Sequence, residues 1–165
     1  MLLNNEFTLE NALKIIAPYK LIKQIKIIPA KNGKLQESST GQLYWRESPE
    51  LNDFIFKRLK ISARKNTQIW DAISLGLENA FWRGNKNNPQ LEVIVRIFLG
   101  KNGKIIQIKD SGNGFDYVKK IKLLKSGGNY ASGLGRGLKA LNKVDSISAG
   151  YQGKGNILNI VVRSE

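Results

Sequence analysis

The sequence predicts a single α/β domain, in which strands and helices contribute to one hydrophobic core. Leu91, Val93, Val95, Ile97 and Leu99 alternate along the chain, which is the pattern of a strand with one buried face. Through 67–83, apolar residues recur every three or four positions, which is typical of an amphipathic helix. The chain has 165 residues, of which 41% are hydrophobic and 24% charged, and this length and composition are sufficient for one domain with its own core.

The first half of the chain contains start and stop signals for two helices and two strands. Thr8 is a helix cap and Pro18 follows the helix end, while Ser48 and Pro49 open a second helix with an acid in its first turn. Isoleucine-rich and aromatic segments between these helices favour strands, with a turn at Asn32-Gly33. The expected elements are a helix over 8–17, strands over 21–28 and 42–47, and a helix beginning at 48.

The second half alternates between long elements and glycine-rich turns. The helix over 67–83 ends at Gly84, and glycines at a helix end are common because they tolerate the terminating conformation. A four-residue turn, 100–103, separates two strands, and Gly153 and Gly155 mark a final hairpin. The expected elements are strands over 91–99 and 104–110, a helix over 138–144, and hairpin strands over 146–151 and 157–162.

Composition excludes several kinds of chemistry. The chain has no cysteine and no histidine, so disulfides, cysteine-ligated zinc, a histidine general base and a phospho-accepting histidine are all excluded. No apolar run approaches a membrane span and no signal peptide is evident, so a cytoplasmic location is expected. The net charge of +14 favours anionic partners, although the lysines are scattered and not clustered with aromatics as nucleic-acid sites usually are.

The segment 110–138 carries the functional signal. Asp110, Gly112 and Gly114 form an Asp-x-Gly-x-Gly loop, and a second glycine cluster follows about twenty residues later. Glycines let backbone N–H groups approach a phosphate chain, and a helix N-terminus behind them adds positive potential. Asp110 has the same parity as Ile106 and Ile108, which places its carboxylate on the buried face, where it needs a polar partner. The segment therefore predicts nucleotide binding.

Three segments in this order resemble the boxes of the GHKL ATPase superfamily, which includes gyrase, heat-shock chaperones, histidine kinases and mismatch-repair proteins. AISLGLENAFWRGN (72–85) looks like its N box, DSGNGF (110–115) its G1 box and SGLGRGL (132–138) its G2 box. The small anti-sigma-factor serine kinases are the most similar group, because they share the short lid between boxes and the final hairpin. The likeness covers about 42–163, so we divide the chain into an N-terminal extension (1–41, a helix and a strand packed on the domain) and an ATPase domain (42–165).

The resemblance implies a two-layer α/β sandwich of the Bergerat type, with a mixed sheet, helices on one face, and ATP or ADP bound with Mg²⁺. By this resemblance, Asn79 ligates Mg²⁺, Asp110 accepts a hydrogen bond from the adenine amino group, and Arg83 reaches a phosphate. Gly112 and Gly114 let the loop pass close to the base, and Asn156 stands where many relatives carry a threonine near the adenine. The phosphates lie on the cluster Gly133, Leu134, Gly135, Arg136 and Gly137.

One departure from the family leaves the activity open. Leu75 occupies the position of the family's catalytic glutamate, and leucine cannot activate a water or a hydroxyl group. Glu78 lies about a hundred degrees around the helix from Asn79 and points elsewhere in a regular helix. The hypotheses are an ATP-binding switch of the anti-sigma or serine-kinase type, with a sigma-factor-like or anti-anti-sigma-like partner, and a catalytically inactive relative. A nucleic-acid-binding module is a third hypothesis, favoured by charge alone.

Overall fold

The computed structural model describes residues 7–29, 42–45, 49–61, 67–88, 90–126 and 147–164. The glycine cluster 133–137 and the helix expected over 138–144 lie outside these ranges. The elements are α1 (Leu9–Ile16), β1 (Tyr19–Pro29), β2 (Gln42–Trp45), α2 (Pro49–Leu59), α3 (Thr67–Glu78), β3 (Val93–Gly100), β4 (Gly103–Asp110), α4 (Tyr117–Lys125), β5 (Ile147–Gln152) and β6 (Ile157–Arg163). The predicted mixture of helices and strands is confirmed, whereas the sequence did not predict α4.

The strands form one six-stranded sheet in the order β2-β1-β3-β4-β6-β5. The β1–β2 pair is parallel, and the pairs β1–β3, β3–β4, β4–β6 and β5–β6 are antiparallel, so the sheet is mixed. β1 belongs to the segment that we separated as an N-terminal extension. It lies inside the sheet, between β2 and β3, and the described sheet is therefore continuous across that boundary.

The two faces of the sheet have different cores. Side chains with the parity of Val95 and Ile106 pack against α2, α3 and α4, and we call this side the helix face. Side chains with the parity of Phe98 and Ile105 pack against α1, and we call this side the opposite face. The sheet and the layer formed by α2–α4 match the expected two-layer sandwich. The expectation that all helices lie on one face does not hold for α1, whose apolar side is buried on the opposite face.

α3 does not continue as a regular helix to Arg83. It ends at Glu78 and is followed by a π-helical segment, Asn79–Gly84, in which the Asn85 N–H donates to the Ala80 carbonyl at 2.9 Å, five residues back. Such segments are rare and frequently occur at functional sites. Earlier in α3, Gly76 lies so close to the sheet that a Cβ would stand 2.8 Å from Ile108 Cδ1. α3 therefore packs tightly on β4 just before the π-helical segment begins.

A line of polar side chains crosses the opposite face, and we call it the polar stripe: Gln24, Arg96, Gln107 and Asn159, which are direct cross-strand neighbours. Arg96 donates to Gln24 at 2.7 Å and to Gln107 at 2.8 Å, and Gln107 donates to Asn159 at 2.9 Å. Asn159 then donates to the Phe7 carbonyl at 2.7 Å and to Gln152 at 3.1 Å. The stripe thereby fixes the chain just before α1.

Thr8 caps α1 as expected, with its hydroxyl accepting from the Asn11 N–H at 3.2 Å. The Phe7 N–H donates to the Tyr151 carbonyl at 3.4 Å, and the Leu9 N–H donates to Gln152 at 2.9 Å. The start of α1 is therefore hydrogen-bonded to β5. In the described part of the chain, no helix combines the length and the apolar character that crossing a membrane requires.

Candidate nucleotide-binding site

A cavity of about 280 Å³ opens on the helix face, between the π-helical segment, the loop after β4 and the β5–β6 hairpin. The cavity's position follows from the path of the chain. β4 ends near the π-helical segment that follows α3, and the β5–β6 hairpin lies next to β4 in the sheet. The cavity is lined by Gly76, Asn79, Ala80, Arg83, Gly84, Ile108, Asp110, Gly114, Phe115, Lys120, Tyr151, Gly155 and Leu158. Mostly apolar walls with a few polar groups are typical of small-molecule sites.

Asp110 provides the buried charge of this cavity. It is the last residue of β4 and is 8% exposed. Burial raises the pKa of its carboxyl above the ordinary value, and backbone N–H donors oppose that rise. The Gly112 N–H donates to Oδ1 at 2.9 Å, and no ion pair of Asp110 occurs within the described ranges. The carboxylate thus faces the cavity with acceptor capacity that the described residues leave unused.

Glycines allow the backbone to close around this carboxylate. A Cβ at Gly84 would overlap the Asp110 carboxyl group, and a Cβ at Gly112 would overlap the Gly84 carbonyl. Gly114 has a φ of 74° and lies against the Lys154 carbonyl of the hairpin. The sequence predicted Gly84 as a helix terminator. In the structure, its lack of a side chain makes room for Asp110.

Two asparagines hold the Asp110 loop from behind. The buried Asn85 accepts from the Ser111 N–H at 2.8 Å and donates to the Leu91 and Glu92 carbonyls at 3.1 Å each. The Asn156 side chain donates to the Asp110 backbone carbonyl at 3.2 Å, and the Asn156 backbone carbonyl accepts from the Asp110 N–H at 3.0 Å. Asn156 is absent from the cavity lining, so in this structure it positions the backbone of Asp110 and does not face the cavity.

The residues of the predicted N box differ in whether they face the cavity, and the difference begins at the start of the π-helical segment. Asn79 and Arg83 both line the cavity, whereas the side chain of Glu78 is exposed to solvent. Leu75 is partly buried and does not line the cavity. Next to Arg83, the indole of Trp82 is 46% exposed at the surface. The structure thus brings Asn79, Arg83, Asp110 and Gly114 to one cavity and keeps Glu78 away from it.

Sequence reasoning missed the aromatic wall of the cavity. The rings of Phe115 and Tyr151 meet edge to face with centroids 4.8 Å apart, and the Tyr117 ring lies 6.3 Å from that of Tyr151. Burial raises the pKa of the Tyr151 hydroxyl to about 12, and the nearby Asn79 side chain opposes that rise. Parity predicts this burial, because Tyr151 shares the helix face with Ile147 and Ala149 on β5.

The cavity also has positive charge on its lining, from Arg83 and Lys120. Lys120 lies on α4, which follows the Asp110 loop along the chain. Among the residues that the structure describes, no group of three or more His, Cys, Asp or Glu side chains is placed to hold a metal ion. The described part of the site therefore combines one buried acceptor, two cations, one side-chain amide and an aromatic wall.

Comparison with known proteins gives a coarser assignment than the sequence motifs do. The sensor protein LytS of Staphylococcus saprophyticus is 34% identical over 73 residues, which are 44% of this chain. The match spans 12% of the length of that sensor protein. No family model matches the chain. This limited likeness is compatible with the histidine-kinase-like superfamily, and the narrower resemblance to anti-sigma-factor kinases stays a prediction.

Proposed function

We propose that this chain binds ATP or ADP in the cavity described above. The observation that carries the proposal is the buried Asp110 carboxylate, which faces the cavity with acceptor capacity that no described residue takes up. A buried carboxylate is costly unless a polar group of a ligand satisfies it. The exocyclic amine of adenine is a donor of the required kind, whereas guanine presents a carbonyl oxygen at the corresponding position. Adenine is therefore the base that suits Asp110.

The remaining polar groups suit the phosphates and a magnesium ion. Arg83 and Lys120 supply positive charge on the cavity lining, and Asn79 supplies an amide oxygen. Mg²⁺ usually takes one or two protein oxygens and completes its shell with phosphate and water oxygens. One asparagine beside two cations therefore suits a Mg²⁺ ion that arrives with the nucleotide. It does not suit a Mg²⁺ ion held by protein ligands alone. The bound ion would neutralise phosphate charge, and Asn79 would hold it in the proposed site.

We further propose that the nucleotide serves mainly as a regulatory ligand, in a protein of the anti-sigma-factor or serine-kinase type. General-base assistance is worth roughly a hundred- to ten-thousand-fold and requires a base within hydrogen-bond reach. Leu75 supplies no base, and the exposed Glu78 is not on the cavity lining. Alignment and electrostatics still support slow phosphoryl transfer. A regulatory protein would then read the nucleotide state, and the +14 charge favours an acidic one.

Calorimetric titration with ATP, ADP and GTP tests the nucleotide proposal. We expect adenine nucleotides to bind the parent protein more tightly than GTP, and Asp110→Asn to weaken ATP about ten- to hundred-fold, the loss of one charge-assisted hydrogen bond. Asp71→Asn, which changes an exposed carboxylate on α3, is the matched control and should bind like the parent. Equal affinities for ATP and GTP would contradict the assignment of Asp110.

Phosphate release tests the proposal of a regulatory ligand. We expect slow turnover in the parent protein and little change in Glu78→Ala, with Leu75→Glu restoring a carboxylate at the family position. Brisk turnover in the parent that disappears in Glu78→Ala would show that Glu78 is the base. That result would also require the start of the π-helical segment to rearrange when nucleotide binds, because Glu78 is exposed without it.

Binding to duplex DNA tests the third hypothesis against the proposed protein partner. We expect weak, non-specific binding that is lost steeply as salt rises, because scattered lysines contact phosphates without reading bases. Sequence-selective binding that persists at high salt would favour the nucleic-acid-binding module. The control is a variant with the same net charge of +14, such as Asp71→Asn paired with Lys119→Gln, since both side chains are exposed and neither lines the cavity.

A further inference from the structure

In the described part of the chain, α1 is the helix that packs on the opposite face, and it covers part of that face. α1 lies mainly against β4 and β6. β3 and β1 are the next two strands, and two strands are about 10 Å wide, close to the width of a helix. On this side the face carries six exposed or partly buried side chains, which we call the open patch: Tyr19, Leu21, Lys26, Ile94, Arg96 and Lys109.

The open patch is apolar at one end. Tyr19 and Leu21 are 49% and 51% exposed, and Leu21 is the cross-strand neighbour of Phe98. The Tyr19 ring meets the Phe98 ring edge to face, with centroids 6.3 Å apart. Phe98 itself is buried in the small core that the sheet forms with α1. The exposed pair therefore borders an existing core, and a second helix placed here would extend that core over β1.

The other end of the open patch is cationic. Lys26, Ile94 and Lys109 are direct neighbours across three strands, so the partly buried isoleucine has a lysine on each side. Arg96 lies two residues further along β3 on the same face and is bonded to two neutral glutamines. Glu92 pairs with Lys26 at 3.3 Å, whereas neither Arg96 nor Lys109 has an ion pair within the described ranges. This end therefore carries a positive charge that one carboxylate does not balance.

We propose that the open patch binds an acidic amphipathic helix of a partner protein, which lies beside α1 over β1 and β3. Apolar side chains of that helix pack on Tyr19, Leu21 and Ile94. Its carboxylates pair with Arg96 and Lys109. The patch extends along about six residues of β3, or roughly 20 Å, which a helix of about three to four turns spans. The inference rests on the proposed function only in taking the partner to be an acidic protein, and it does not require the nucleotide.

Two other occupants suit the open patch less well. A second copy of this chain would bring the same cations together across a two-fold axis, in a molecule whose net charge is already +14. A nucleic-acid strand would use the cations, but its bases stack on aromatic faces, and Tyr19 is the one aromatic member of the patch. Leu21 and Ile94 suit the apolar face of a helix, as in other grooves that bind amphipathic helices.

Fluorescence anisotropy with a labelled synthetic peptide tests the proposal. The probe is a peptide of about 16 residues, with leucines at helical spacing on one face and glutamates on the other, and the control peptide has lysine at each glutamate position. We expect the acidic peptide to bind the full chain with a Kd of about 10–100 µM at low salt, and the basic peptide to bind at least about tenfold more weakly. Equal binding of the two peptides, or no binding of the acidic one, would overturn the proposal.

A pair of charge variants locates the bound peptide. Lys26→Gln combined with Lys109→Gln should weaken the acidic peptide about three- to thirtyfold, because two exposed or partly exposed ion pairs are lost. Lys119→Gln combined with Lys122→Gln removes the same charge from exposed positions of α4 and should change the Kd less than about twofold. Equal weakening by both variants would show that the peptide responds to net charge alone, and the proposal would fail.

A pair of leucine variants tests the apolar end. Leu21→Ser should weaken the acidic peptide about three- to tenfold, because half of this side chain is still available for burial. Leu123→Ser changes a leucine of similar exposure, 43%, on α4 and should bind like the parent. A Leu21→Ser protein that binds the peptide as tightly as the parent would contradict the proposed packing.

Three further measurements separate the alternatives. ADP should bind the patch variants like the parent, and failure of ADP to bind the parent, with peptide binding retained, would contradict the nucleotide proposal and support this one. Loss of peptide binding alone would overturn this inference and leave the nucleotide site intact. A dimer in sedimentation that Leu21→Ser dissociates, or an oligothymidylate that binds more tightly than the peptide and is lost in the Lys26 and Lys109 variant, would assign the patch to a second copy or to nucleic acid, and either result would overturn the proposal.

Discussion

The two faces of the sheet both bury polar groups, but they satisfy them differently. On the opposite face, Gln107 and Asn159 are 3% and 0% exposed; Gln107 bonds to two side chains, and Asn159 bonds to two side chains and a backbone carbonyl. On the helix face, Asp110 is 8% exposed, and the donors that reach its carboxylate from the described residues are backbone N–H groups. Burial is nearly equal on the two sides, so the difference lies in the partners.

This difference separates a structural network from a candidate site. Buried polar groups in folded proteins are almost always hydrogen-bonded, and an exception calls for an explanation such as a bound ligand. The polar stripe has no such exception at its centre and serves to place α1. Asp110 accepts from backbone N–H groups on the helix face, but no side-chain donor or cation pairs with it among the described residues, so burying its charge is costly. The four predictions below break or sharpen this contrast.

The largest expected effect comes from breaking the polar stripe with Asn159→Leu. This change leaves Gln107 Nε2 and the Phe7 carbonyl without their buried partner, and each lost partner costs about 1–3 kcal/mol. We expect urea unfolding to show a loss of about 3 kcal/mol, with nucleotide affinity of the folded protein nearly unchanged. Gln24→Leu, at the exposed end of the stripe, should cost less than about 0.5 kcal/mol. Equal losses would show that the stripe is not a buried network.

Gly84→Ala should affect both stability and binding. Its Cβ would overlap the Asp110 carboxyl group, so either the helix or the carboxylate must shift. We expect a loss of about 1–3 kcal/mol, larger than the roughly 1 kcal/mol that alanine gains over glycine in a helix, and a loss of nucleotide affinity. The control is Gly153→Asn, at a φ of 65° where a Cβ has no neighbour closer than 3.7 Å. A more stable Gly84→Ala protein would contradict the close contact.

Asp110→Asn should raise the stability of the ligand-free protein at neutral pH. Burial raises the pKa of Asp110 in the folded state, so the ionised carboxyl costs stability above that pKa. The cost is lost as the pH falls through the raised pKa towards the ordinary value of 3.8, because the folded state binds the proton more tightly. Thermal unfolding should therefore show a higher Tm for Asp110→Asn at pH 7 and convergence of the two proteins in acid. A lower Tm at pH 7 would indicate a stabilising partner for the carboxylate.

The smallest expected effect is that of Glu10→Ala on α1. The Glu10–Lys14 pair is 2.9 Å long, but both side chains are more than two-thirds exposed, and exposed i,i+4 pairs contribute about 0.3–0.5 kcal/mol. We expect a loss of stability within that range in low salt and a smaller loss in high salt. A loss comparable to that of Asn159→Leu would mean that surface charge, and not the polar stripe, places α1.

Alternating and helical periodicities were sufficient to predict the α+β character and most element bounds. They also placed Asp110 on the buried face, because parity along β4 is a local property. Periodicity did not predict the π-helical segment. The buried Ala80 continues the apolar spacing of α3, so the pattern resembles that of one regular helix. The wider turns of the π-helical segment leave no separate signal in it.

Contacts between residues that are distant in the sequence were not predicted. Gln107 and Asn159 are buried, and Arg96 partly buried, on the same face of the sheet as α1, where alternation along a single strand gives no sign of a second core. The close approach of Gly84 to Asp110 joins residues from two elements, so it is not visible in the local sequence. Locally, a glycine at position 84 is already explained as a helix terminator. Parity along β5 places Tyr151 on the helix face, but its packing on Phe115 and Tyr117 joins distant parts of the chain that sequence patterns do not bring together.

Trp82 gives the molecule an optical reporter beside the candidate site. Its indole is 46% exposed and adjoins Arg83 on the π-helical segment, whereas Trp70 packs on Phe56 with ring centroids 5.3 Å apart. Trp82 therefore emits from a water-like environment at long wavelength, and Trp70 emits from a less polar one. The chain has a third tryptophan, Trp45, so a Trp45→Phe, Trp70→Phe background leaves Trp82 as the one indole, and a ligand that reaches Arg83 changes the polarity around it. Fluorescence of the otherwise unlabelled protein can then follow occupancy of the cavity in real time.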